Sequence, residues 1–140
     1  DYLEQSSKVQ AACPWYPPTD TSKFQYQEAE QCAASPESLL LGFNVMKNPE
    51  KGYENSPVSK VTKEAPPFLI IHGTNDRTVP FSQSESLYES LEKNGCDVTF
   101  LALEGADHAD LQFFQDEVWE RMISFFKEKL TRICRENIKS

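Results

Sequence analysis

The chain has 140 residues, a formal net charge of -8 and 11% aromatic residues, the size and make-up of one globular domain with a real hydrophobic core. Its acids are spread along the chain, which argues against a nucleic-acid or anionic-membrane surface. No apolar run approaches the roughly 20 residues of a membrane-spanning helix.

No signal peptide is visible, and the chain opens at "DYLEQSSKVQ" without a Met, which fits a processed, trimmed or excised piece. Residues 8–13, "KVQAAC", predict a strand that ends at Pro14. "PWYPPTD" follows, too rich in proline for regular structure. Residues 19–34 are polar and irregular, with Phe24 and Tyr26 as isolated aromatics. "SPESLLLG" carries helix punctuation: Ser35 as cap, Pro36 at the first helical position and Gly42 just past the end. "NPEKGYENSP" predicts another short helical turn, begun at Asn48 and stopped before Pro57.

"FLII", residues 68–71, is apolar at every position. That suits a strand buried on both faces, as in a parallel sheet covered by helices. "FSQSESLYESLEKNG" predicts a helix, with Ser82 and Glu85 as a capping box, Leu87 and Leu91 on one face and Gly95 as terminator. "DVTFLALEG", residues 97–105, is the next strand. The last helix is expected over about 110–132. There Phe114, Val118, Met122, Phe126 and Leu130 form a stripe widened by Trp119, Ile123 and Phe125.

Strands alternating with helices imply an α/β fold with right-handed crossovers and a parallel sheet. About three strands make a small sheet with a long apolar edge left unpaired. The sequence therefore reads as part of a larger sheet. Residues 1–140 form one partial domain, with about 15–56 as a cap-like excursion inside it.

Catalytic groups in such folds sit beyond the carboxyl ends of the strands. Asp76 follows "FLIIHG" and His108 follows "VTFLALEG", at the ends of successive strands. The two side chains are thus placed to meet. A carboxylate that accepts from one imidazole nitrogen fixes the tautomer and leaves the other nitrogen as a general base. The plainer alternative has Asp76 capping its own turn and His108 as a loop histidine.

The four cysteines, Cys13, Cys32, Cys96 and Cys134, form no C-x-x-C pair and lie far in sequence from both histidines, an arrangement unsuited to zinc. Free thiols in a reducing, cytoplasmic compartment are the expected state, with a Cys13–Cys32 disulfide as the alternative in an exported protein.

"HGTNDRTVP" followed by "EGADHAD" resembles the end of an α/β-hydrolase, where an H-G-x-x-D-x-x-V-P loop carries a triad acid and a G-x-x-H loop carries the histidine. "SSKVQAACPWYPPTD" is similar to the strand and loop after the nucleophile helix in esterase/lipase members near the acetyl-xylan and feruloyl esterases. "NSPVSKVTKEAPPFLIIHG" resembles the segment leading into the acid-bearing strand. The resemblance implies Asp76 as the triad acid and His108 as the base, with no metal or organic cofactor. It does not favour Asp107 or Asp110. His72 is expected to hydrogen-bond locally, and Gly73 to permit a tight turn.

The family serine sits in G-x-S-x-G on a strand-to-helix turn. None of the five glycines here, Gly42, Gly52, Gly73, Gly95 and Gly105, belongs to such a motif. The resemblance thus implies the C-terminal half of a serine carboxylic-ester hydrolase acting on a small ester, with the nucleophile and oxyanion hole before Asp1. A serine peptidase is the nearest enzymatic alternative. Cys13 and Cys96 are poor substitutes for the serine, because Cys13 has no elbow behind it and Cys96 opens its strand, away from His108. A second expectation, of another class, is a non-catalytic remnant acting as a binding or assembly module that pairs its sheet edge with the missing half or another copy. Trp15, Tyr16, Phe24 and Tyr26 either line an acyl or aromatic pocket or pack the loop on the sheet.

Overall fold

The computed structural model describes residues 4–24 and 28–137. After an exposed stretch over residues 4–10 the chain comes alongside the sheet. A 3-10 turn, Thr21–Lys23, then leads to α1 (Ala29–Ala33), α2 (Pro36–Leu41) and α3 (Pro49–Glu54). A second 3-10 turn, Pro57–Lys60, precedes β1 (Phe68–Gly73). Then come α4 (Ser82–Lys93), β2 (Val98–Leu103), a 3-10 turn at Leu111–Phe114 and α5 (Asp116–Asn137).

β1 and β2 pair in parallel, Phe68 opposite Val98 through Gly73 opposite Leu103. Because side chains alternate across a strand, β1 feeds two cores. Leu69 and Ile71 pack with Phe113, Val118 and Phe125 on the α5 side. Ile70 packs with Val58, Leu87 and Leu91 on the α4 side. This is the two-faced burial expected of "FLII", and it makes a helix–sheet–helix sandwich.

The strand expected over residues 8–13 sits further along. Ala12 N–H donates to Pro67 O at 2.9 Å, Ala12 O accepts from Leu69 at 2.9 Å, Pro14 O accepts from Ile71 at 3.1 Å, and Tyr16 N–H donates to Ile71 O at 2.8 Å. Parallel bridges form at Ala12–Phe68 and Trp15–Ile71. Pro14 does not end the pairing. It has no N–H for the middle rung, so the third strand is present as a bridged segment rather than a full ladder.

α2 follows its punctuation. Ser35 Oγ accepts from Ser38 N–H at 3.2 Å, and Gly42 takes φ 74° at the far end. α4 departs from expectation at its start, where the Ser82–Glu85 capping box does not form. Phe81 is already helical, and the first amides, Gln83 and Ser84, donate to the carbonyls of Pro80 and Phe81. Ser82 is therefore one residue inside the helix, where its hydroxyl has no cap to make. The last helix also begins later than expected, at Asp116, after the separate turn that buries Phe113. Its buried face is Val118 and Phe125, flanked by the partly buried Met122 and Phe126. Trp119, Ile123 and Leu130 remain 40%, 45% and 41% exposed. Among the described residues no helix is long and apolar enough to cross a membrane.

Candidate active site

β1 and β2 end side by side, and their following loops interlock. Thr74 N–H donates to Leu103 O at 3.0 Å, and Asn75 N–H to Ala106 O at 3.0 Å. Gly105 N–H donates to Thr74 Oγ1 at 2.8 Å. Gly73 is required here because a Cβ at that position would overlap the Ala106 carbonyl. This knitting carries Asp76 and His108 to the same place.

His108 Nδ1 lies 2.8 Å from Asp76 Oδ2. The Asp76 side chain is fully buried, whereas His108 is 28% exposed. A carboxylate only accepts, so Nδ1 carries the proton and Nε2 is left with its lone pair. Among the described residues Nε2 has no hydrogen-bond partner. The two sequence readings of Asp76 hold together. Oδ1 accepts from Thr78 and Val79 N–H, each at 2.8 Å, capping the turn, while Oδ2 faces the histidine.

His72 is buried beneath this pair on the α4 face. Its Nε2 lies 2.9 Å from Val79 O, which can only accept, so Nε2 carries the proton. Nδ1 therefore accepts from the Ser84 hydroxyl at 2.6 Å. The same Nε2 lies 3.2 Å from Asp76 Oδ2. Burial pushes the His72 pKa down, against the pull of Val79 O and Asp76. The local hydrogen bonding expected of His72 is what it makes.

Sequence reasoning did not foresee the pair flanking the site. Arg77 directly follows Asp76, and Asp107 directly precedes His108. Asp107 Oδ1 accepts from Arg77 N–H at 3.0 Å and from His108 N–H at 2.7 Å, and Oδ2 accepts from Arg77 Nε at 2.7 Å. The backbone amides of Arg77 and His108, with the guanidinium, hold the Asp107 carboxyl down at about 2. The signal in the sequence was an Arg and an Asp at matching offsets from the two candidate residues.

Trp15 packs on Phe113 and Trp119, with ring centroids 5.5 and 5.8 Å away, so it belongs to the core on the α5 side. Tyr16 instead lies against the His108 ring, at 4.1 Å. Phe24 is half-buried, and Tyr26 lies outside the described residues. Cys13 and Cys32 are both free thiols, so they form no disulfide with each other. Burial raises the Cys13 pKa, which keeps it a thiol rather than a thiolate.

Parallel strands between helices, with a buried carboxylate on an imidazole beyond the strand ends, define part of an α/β-hydrolase. The BD-FAE family model matches residues 1–91. Esterase LipC of Mycobacterium tuberculosis is 37% identical over 73 residues, covering 51% of this chain and 18% of LipC. Esterase LipQ of the same organism is 33% identical over 102 residues, covering 72% of this chain and 24% of LipQ. A solved structure described as a truncated form of carbohydrate esterase from gut microbiota superposes with a TM-score of 0.81 at 30% identity, covering 94% of this chain and 46% of that one. The chain belongs to the BD-FAE family of α/β-hydrolase esterases. It spans about a fifth to a quarter of the curated relatives it matches and under half of that solved structure.

Proposed function

We propose that this chain supplies the acid and the base of a serine carboxylic-ester hydrolase, the nucleophile serine and oxyanion donors coming from a part of the protein outside this sequence. The observation that carries this is the 2.8 Å contact between His108 Nδ1 and the buried Asp76 Oδ2. Asp76 holds the tautomer in which His108 Nε2 can take the serine proton as the hydroxyl attacks the ester carbonyl. Asp76 then stabilises the imidazolium, which returns its proton to the leaving alkoxide. Tyr16, at the start of the cap-like excursion, lies against His108. The substrate class is a small ester, and the similarity to a solved carbohydrate esterase favours an ester of a carbohydrate.

The test is hydrolysis of a short-chain nitrophenyl ester by the complete protein beside its His108→Ala variant. Loss of about 10⁴- to 10⁶-fold in kcat is expected, the scale seen when a triad member is removed from a serine hydrolase. Retained turnover in the variant would overturn the assignment. Faster cleavage of a peptide anilide than of the ester would move the reading to a serine peptidase.

A second reading rests on a separate observation. An open apolar groove of about 660 Å³, lined by Pro14, Val61, Ala65, Phe68 and Leu87 among others, runs beside the bridged segment. On the opposite face α5 exposes Trp119, Ile123 and Leu130. These surfaces fit the remainder of the same protein, since this chain spans under half of its solved relative. Sedimentation distinguishes the occupants: a chain that stays folded and monomeric at high dilution does not use this edge to pair with a second copy.

A further inference from the structure

We infer that Tyr16 is a positioning residue for the His108 imidazole. The inference rests on His108 being the base, but not on any substrate. Asp76 grips one nitrogen of the ring, and one hydrogen bond leaves the imidazole free to swing about its side-chain torsions. The Tyr16 ring closes a face of that freedom, with centroids 4.1 Å apart and planes inclined by 48°. Tyr16 is itself backed by the fully buried Phe113, edge-on at 5.1 Å. His108 is thus held from two directions, by a carboxylate at Nδ1 and by an aromatic face, while Nε2 stays clear. An imidazolium formed during the reaction would lie against the electron-rich ring, a favourable placement for a cation.

The backbone supports this independently. Tyr16 has φ 39°, a conformation that glycine adopts readily and tyrosine does not. Such strain persists only where the surroundings over-determine it. Here they do on both sides. Tyr16 N–H is tied to Ile71 O at 2.8 Å, and Pro17 and Pro18 stiffen the chain that follows. Thr19 and Asp20 N–H both donate to the side-chain oxygen of the buried Gln83, at 2.9 and 2.7 Å. Residue 16 is therefore a place where a large side chain sits at a backbone cost, and the side chain it places there reaches His108.

The test is the tautomer of His108 in the complete protein, read from imidazole ¹⁵N shifts at alkaline pH, with Tyr16→Phe and Tyr16→Gly compared. Glycine relieves the φ strain while deleting the ring, so it separates positioning from stability. The wild type and Tyr16→Phe should hold the Nδ1–H form. Tyr16→Gly should remain folded, with unchanged amide dispersion, yet lose the Nδ1–H majority. A folded glycine variant with an unchanged His108 tautomer would overturn the inference. An unfolded glycine variant would overturn it too, by assigning Tyr16 to packing alone. None of these outcomes depends on turnover, so failure of the esterase reading would be seen separately, in the His108→Ala assay.

Discussion

Arg77 reaches across two strand ends to Asp107, its Nε 2.7 Å from Oδ2 and its backbone N–H 3.0 Å from Oδ1. The two residues clasp the loops that carry Asp76 and His108, one residue removed from each. Asp107→Asn keeps the shape but gives up the charge. Under the proposed function, it is expected in the complete protein to lower kcat about tenfold with little change in KM, since small misplacements of a reacting group carry penalties of this order or larger. Steady-state kinetics of Asp107→Asn and Arg77→Ala check this. A fall in KM-controlled binding alone, with kcat intact, would count against a role in aligning the pair.

The clasp also has a pH signature. The folded-state pKa of Asp107 is about 2, below its ordinary value of 3.8. A lowered carboxyl pKa contributes stability that is present above the unfolded value and lost as pH falls through the folded one. The clasp's contribution to stability should therefore be full above about pH 4 and decline from there toward about 2, while the clasp itself stays ionised in the folded chain until the pH nears about 2. Carbon-detected NMR titration of the Asp107 carboxyl reads it directly. A midpoint near the ordinary value would mean the clasp is not formed.

His72 has the same sense of linkage for a different reason. Burial lowers its folded pKa below the ordinary 6.5, so below that pH the unfolded chain binds the extra proton first. Stability should fall as pH drops from about 6.5 toward the folded value, and His72→Asn should flatten that slope. Urea unfolding at a series of pH values measures it. An unchanged slope in the variant would assign the acid sensitivity elsewhere.

Gln83 is fully buried and serves the amides of Thr19 and Asp20 at once. Gln83→Leu would strand both donors in the interior, at a combined cost of about 3 kcal/mol. Gln83→Glu keeps the acceptor oxygens but loses the donor to Asp20 O, so it should fall between. Denaturant midpoints rank the three proteins. A leucine variant as stable as the wild type would mean that water replaces the side chain.

Gly73→Ala puts a methyl into the Ala106 carbonyl, backbone against backbone, where neither strand end can yield cheaply. A loss of about 3 kcal/mol or more is expected, together with disruption of the Asp76–His108 contact. Thermal unfolding and the His108 tautomer check both halves of that statement.

What could be read in advance follows from how local the cause is. "FLII" announced a strand buried on both faces because apolar side chains at every position have no solvent face to serve, and Ile70 and Ile71 do point into opposite cores. Asp76 and His108 were legible because parallel topology brings successive strand ends together. Pro14 misled because a proline forfeits only its own N–H rung: its carbonyl still accepts from Ile71, and Tyr16 resumes the pairing with β1. The expected stripe on the last helix stepped by four residues, which drifts about 40° per step around a helix of 3.6 residues per turn. Of that stripe and its widening, Val118, Met122, Phe125 and Phe126 do pack on the core, whereas Phe114, Trp119, Ile123 and Leu130 stay outside. Nothing in "PWYPPTD" signals that Tyr16 takes a positive φ, because that conformation is imposed by Ile71, Pro17 and Gln83 from outside the residue itself.

The bridged segment at Ala12 also sets an order of events during folding. It meets β1 across a loop of about 55 residues, whereas β1 and β2 close a loop of about 30 through a single helix. Nearer partners find each other first, so β1, α4 and β2 should form a unit onto which the chain's beginning is later laid. The rung that Pro14 cannot make leaves this late-arriving segment the most easily peeled away. In pulse-labelling hydrogen exchange the amides of β1 and β2 should gain protection before Ala12 and Tyr16 do. The contact that Tyr16 makes with His108 would then be among the last to form and the first to be lost.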